Sequence, residues 1–201
     1  MSDHDKISAY YLRRLSQSEE THEVLGWESP EAQEARFSVL LELLPEDPFS
    51  LLDVGAGLGD LFAFLDRSHV PARYTGVDIL PEMVDRARNR FPRGRFECID
   101  VLSDESWEER FDVVFASGIF NLKMQDNMRF VRRASQRFAG LSTGLCVVNF
   151  LSESSEDKEE AYFYYSPAGV RAVFGASFPS VRILDGYLRN DFTIVALKRA
   201  D

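Results

Sequence analysis

The chain has 201 residues, 45% of them apolar, and a formal net charge of −10. That length fits one domain burying roughly 70% of its unfolded surface, and the charge, with no long Lys/Arg tract, weighs against a broad DNA- or RNA-binding face. Two cysteines, Cys98 and Cys146, argue against a disulfide framework or a structural zinc cluster and are expected to be reduced core thiols.

The N-terminus, MSDHDKISAYYLRRL, lacks an apolar signal core, and no stretch approaches the ~20 residues that cross a bilayer, so a cytoplasmic protein with no membrane partner is expected. Ile7, Tyr10, Tyr11 and Leu15 form a rough apolar stripe that predicts a helix over 6–18, mobile enough to act as a lid. After a break at Leu25-Gly26-Trp27, Ser29 caps a second helix with Pro30 and Glu31 in its first turn. Residues 1–48 thus read as a helical lid and a sheet-packing helix, and 49–201 as an α/β core, within one compact domain.

From residue 49 short apolar segments alternate with helical ones. Strands are predicted at 50–54, 73–78, 94–99, 111–116 and 143–150, with helices at 58–68, 81–91 and 124–140. An acidic solvated loop, Ser152 to Glu160, leads into Ala161-Tyr162-Phe163-Tyr164-Tyr165 and a helix over 167–176. Strands at 180–187 and 191–198 are too close in sequence for a parallel crossover and predict an antiparallel hairpin. The fold class is α/β: a Rossmann-like, mostly parallel seven-stranded sheet with helices on both faces and an antiparallel C-terminal hairpin.

One apolar strand runs into a glycine-rich turn, Leu51-Leu52-Asp53-Val54-Gly55-Ala56-Gly57-Leu58-Gly59-Asp60, and a second ends in Asp78. This is how an α/β sheet holds a nucleoside-containing cofactor. A dinucleotide fingerprint requires glycine where Asp60 stands, and Asp53 adds a second charge near the turn. Both carboxylates disfavour a pyrophosphate, and hence a nicotinamide dehydrogenase, but suit a ligand carrying an amine and a sulfonium such as S-adenosylmethionine.

With Tyr74-Thr75-Gly76-Val77-Asp78-Ile79-Leu80-Pro81-Glu82-Met83 and Phe111-Asp112-Val113-Val114-Phe115-Ala116-Ser117-Gly118, the ordered motifs resemble the class I S-adenosylmethionine-dependent methyltransferases over about residues 30–199. The resemblance implies that the Gly55-Ala56-Gly57 turn lies under the methionyl part of the cofactor, with Asp53 orienting the turn or the ammonium. It also implies that Asp78 holds the ribose hydroxyls and that Asp100 meets the adenine amino group. Ile79, Met83 and Val101 would wall the adenine, and Ser117 and Gly118 would line the cofactor. The strand end lacks the Asn/Asp-Pro-Pro-aromatic run of many amino-group methylases.

Trp27, Gln33 and Arg36 are candidates for the same pocket, with Arg36 either pairing to the methionyl carboxylate or standing as an ordinary surface charge. Phe120, Asn121, Tyr162, Tyr164, Tyr187 and Asn190 are candidates for the acceptor wall, and Tyr10 and Tyr11 for its entrance; core packing is the competing reading for the aromatics. His22 is the histidine with a plausible route to the pocket, but no catalytic base and no metal site can be assigned. The expected function is in-line methyl transfer to a small-molecule acceptor by a monomer or homodimer. Protein or RNA methylation and non-catalytic cofactor binding are the alternatives.

Overall fold

The computed structural model describes residues 2–104 and 106–199. Its centre is a seven-stranded sheet built from β1 (Phe49–Val54), β2 (Ala72–Asp78), β3 (Arg95–Cys98), β4 (Phe111–Ala116), β5 (Ser142–Leu151), β6 (Ser180–Asp185) and β7 (Asp191–Leu197). The strand order is β3-β2-β1-β4-β5-β7-β6. The first five strands pair in parallel, while β7 runs antiparallel to both β5 and β6. The order reverses between β1 and β4, and the crevice above such a reversal is where open α/β sheets receive ligands.

Alternate strand residues point to opposite faces, and each face has its own core. Leu52, Val54, Val114, Ala116 and Phe150 meet Val131 and Phe138 of α6 (Asn127–Leu141) and Phe174 of α7 (Pro167–Gly175). Leu51, Val113 and Phe115 meet Phe37 of α3 (Pro30–Leu41), Phe64 of α4 (Asp60–Arg67) and Val84 of α5 (Pro81–Arg90). Ser29 accepts from the Ala32 N–H at 3.1 Å, so α3 starts at the expected cap.

The N-terminal part holds three helices where two were predicted. A capping box of Ser2 and Asp5 starts α1 at Asp3, running to Gln17. A short α2 (Thr21–Leu25) follows, stopped by Gly26 in the left-handed region at φ 77°. Helix α1 crosses the crevice: Leu15 packs with Leu80 and Met83 on one side, and Ile7 and Tyr10 pack with Leu122 and Tyr162 on the other. Cys146 is buried as expected, but Cys98 is exposed, because β3 is an edge strand. Among the described residues no helix is long and apolar enough to cross a membrane.

Phe150 joins the core of the first face, with ring centroids 4.7 Å from Phe120 and 5.4 Å from Phe192, both stacked. Phe150→Ala is expected to cost about 3–5 kcal/mol of stability, measured as a lowered urea midpoint at an unchanged slope.

Candidate active site

The turn after β1 is fixed from below by β2. The N–H groups of Gly55 and Ala56 both donate to the Val77 carbonyl, at 2.8 and 3.0 Å. Gly55 and Gly57 lie at φ 78° and 53°. A Cβ on Gly55 would stand 2.2 Å from Ile119, and one on Gly57 would stand 2.7 Å from Leu25. Only glycine allows this backbone to run so close to the end of β4 and to α2.

Asp78, at the end of β2, accepts from the Gly57 N–H at 2.9 Å and from the Leu80 N–H at 3.0 Å, one bond on each carboxylate oxygen. A carboxylate offers about four lone-pair sites, so each oxygen retains capacity for a ligand hydroxyl. Burial raises its pKa against the pull of those backbone bonds. Asp100 accepts from the Leu102 N–H at 3.0 Å and the Ser103 hydroxyl at 2.5 Å.

Beneath the turn, Asp53 accepts from the Tyr74 hydroxyl at 2.6 Å. Burial pushes this carboxyl up to about 7, with the Tyr74 bond opposing and the charges of Asp78 and Asp60 adding to the rise. Asp60 is not a bare charge, since Arg90 meets it at 3.0 Å and the Gln33 amide donates to it at 3.4 Å.

These groups border one cavity of about 340 Å³. Of the expected cofactor residues, Trp27, Gln33, Asp53, Gly55, Ala56, Gly57, Asp78, Ile79, Met83, Asp100, Val101, Ser117 and Gly118 all line it. Arg36 is not in its lining; its guanidinium grips Asp191 through two bonds of 2.7 and 2.8 Å.

Of the expected acceptor residues, Tyr11 alone lines the cavity. Phe120 is fully buried between Phe130 and Phe150. Asn121 is buried behind Gly118, its amide nitrogen 3.9 Å from where a Cβ on that glycine would lie. The Tyr162 hydroxyl is 2.7 Å from that of Tyr10 and donates to the Gly26 carbonyl, so this pair ties α1 to the body. Tyr164 accepts from the Glu159 N–H, Tyr187 bonds Thr193, and Asn190 accepts from the Ser155 hydroxyl.

The structure adds lining residues that the sequence reading missed: Asp3, His4 and Ile7 of α1, with Leu122, Met124, Phe130 and Arg133. His4 stands in the lining, whereas His22, which had a plausible route to the pocket, does not. The Ser2/Asp5 capping box was a readable signal that α1 begins early enough to carry residues 3 and 4.

A parallel sheet with a glycine turn, an acidic residue ending the second strand and a roofed crevice at the strand reversal defines an α/β protein that binds a nucleoside-bearing ligand. Residues 51–139 match the family model described as "Methyltransferase domain". The chain is 31% identical over 164 residues to "Putative methyltransferase Rv1506c" of Mycobacterium tuberculosis, covering 76% of this chain and 95% of that protein. It is 33% identical over 93 residues to a malonyl-[acyl-carrier protein] O-methyltransferase of Acetivibrio thermocellus, covering 44% of this chain and 32% of that one. The fold matches the magnesium protoporphyrin IX methyltransferase ChlM of Synechocystis, with a TM-score of 0.71 at 13% identity over 98% of this chain and 100% of that one. The chain belongs to the class I S-adenosylmethionine-dependent methyltransferases.

Asp53 gives the site a pH dependence of definite sign. Its pKa is raised above the ordinary 3.8, so its contribution to the stability of the ligand-free protein is complete below that value and is lost as pH rises through about 7. A cation bound above the turn favours the ionised form and opposes this loss. The gain in Tm on adding S-adenosylhomocysteine, which carries an ammonium, is therefore expected to be larger at pH 8 than at pH 6. Asp53→Asn should flatten the difference, and scanning calorimetry at the two pH values checks both.

Proposed function

We propose that the protein transfers a methyl group from S-adenosylmethionine to a small-molecule acceptor inside the cavity roofed by α1 and Trp27. The observation that carries this reading is the roof. Helix α1 spans the crevice, and the cavity of about 340 Å³ is near the lower end of the roughly 300–1,000 Å³ usual for small-ligand sites. A helix across the crevice narrows the approach for a folded protein segment or an RNA strand, and the net charge of −10 further disfavours a nucleic acid.

The residues present fit the cofactor. The positive-φ Gly55 and Gly57 put bare backbone of the turn in the cavity lining, and Asp78 has acceptor capacity for two hydroxyls. The buried Trp27 indole nitrogen and Ser117 hydroxyl, both on lining residues, have no protein partner among the described residues. Asp78 would hold the ribose, with Asp100, Ile79, Met83 and Val101 around the adenine. Gly55 to Gly57, Gln33, Trp27, Ser117 and Gly118 would enclose the methionyl end. When bound, the cofactor supplies a methyl group activated by its sulfonium. The protein's part is to exclude water and align the acceptor for in-line attack.

Ile7, Tyr11, Leu122 and Met124 give the remaining wall an apolar part that suits the body of a small organic acceptor, and Asp3, His4 and Arg133 add charged or polar groups to it. Relatives are named for malonyl-[acyl-carrier protein], trans-aconitate and ribosomal protein L11, so their names do not choose among acceptor classes, and the roofed cavity is what supports a small acceptor. Helix α1 then serves as a lid, fastened by the Tyr10–Tyr162 hydroxyl pair and by the Gln125 N–H donating to Asp3 at 3.0 Å.

Incubation with methyl-labelled S-adenosylmethionine and cell extract is expected to place label in the small-molecule fraction; label confined to protein or RNA would overturn the reading. Asp78→Ala should weaken S-adenosylhomocysteine binding by at least about tenfold in calorimetry, since each charge-assisted bond contributes roughly 1.5–3 kcal/mol. Tyr10→Phe removes one hydroxyl of the lid fastening and should raise the ligand dissociation rate several-fold in stopped-flow, leaving the fold intact.

A further inference from the structure

Arg36, Asp191 and Asn149 are buried polar residues with no place in the cavity lining. Their bonds nevertheless lead to it. Arg36 donates from Nε and Nη2 to the two oxygens of Asp191, and the Asn149 amide nitrogen donates to the same carboxylate at 2.9 Å. That bond fixes which way the Asn149 amide points, so its Oδ1 accepts from the Gly118 N–H at 3.2 Å. On its other side, the Arg36 guanidinium stacks over the Trp27 ring at 4.4 Å. The Trp27 ring in turn lies against Gly118, where a Cβ would stand 2.9 Å from Cη2. One ion pair therefore reaches two adjoining pieces of the cavity wall by separate routes.

We propose that Arg36 is a positioning residue for methyl transfer: its pair with Asp191 sets Trp27 and, through Asn149, the Gly118 backbone into one wall beside the end of β4. Stability alone is a poor account of this cluster, because a buried ion pair can often be replaced by apolar residues of similar volume without loss. An apolar replacement, however, can neither orient the Asn149 amide nor stack a cation on the indole. Gly118, at φ 85°, has its N–H held by that oriented amide. The proposal rests on the cofactor placement given above, since it assigns this wall to the methionyl end.

The test uses a Trp107→Phe background, in which Trp27 is the only tryptophan and its emission reports the wall directly. Arg36→Met leaves Asp191 buried and unpaired and risks misfolding, so the deciding protein is the double variant Arg36→Met, Asp191→Leu, which removes both charges. With its circular dichroism unchanged, it is expected to show red-shifted Trp27 emission without ligand and S-adenosylhomocysteine binding weakened about tenfold, the loss of roughly one charge-assisted positioning bond. Arg36→Lys, which keeps the charge but not the two-pronged grip, should recover part of both effects. A folded double variant with parental emission and parental affinity overturns the proposal. If the background protein itself binds no S-adenosylhomocysteine, the cofactor placement fails instead. The emission of the ligand-free variant then decides the role of Arg36: a shift supports the relay, and its absence refutes it.

Discussion

The site is organised by how closely the β1–α4 turn must approach its neighbours. Val77 takes two N–H groups from the turn and Asp78 takes a third from Gly57, so the end of β2 acts as a template for the turn's backbone. Ile119 and Leu25 press on it from above at distances that leave no room for side chains. The sheet, the end of β4 and the N-terminal roof all meet at this turn. Displacement of any one of them would reshape the floor of the cavity.

That geometry brings Asp53, Asp60 and Asp78 together. Asp60 weighs less against a pyrophosphate than its sequence position suggests, because Arg90 and Gln33 both contact it. Asp53 bears more directly on this: it is buried under the turn, with the Tyr74 hydroxyl as its one hydrogen-bond partner among the described residues, and desolvation holds it at about 7. A buried carboxyl poised in this way is relieved by a cation and aggravated by an anion.

Much of the fold and of the cofactor wall was legible because those features are local. Strand periodicity, the glycine turn, the Ser29 cap and the carboxylates ending β2 and β3 lie within a few residues of the structures they create. What was not legible depends on partners far along the chain. Arg36 read as a free cation because Asp191 is 155 residues away. Tyr162 and Phe120 stood between acceptor contact and core packing because nothing local reveals Tyr10, 152 residues from Tyr162, or Phe150, which belongs to another strand. The expected cofactor residues sit in short motifs for the same reason, whereas the rest of the cavity lining is assembled from α1, the loop after β4 and α6.

The placement of β7 between β5 and β6 affects the order in which the protein can be completed. Asp191, the first residue of that strand, emerges late in synthesis, after the glycine turn and the carboxylates that face the donor. The sheet's interior stays open on one side until this segment is inserted, and contacts of such long sequence separation are slow to close. The glycine turn and the end of β2 can therefore take shape from early contacts, while the buried Arg36–Asp191 pair forms only when the final strand docks.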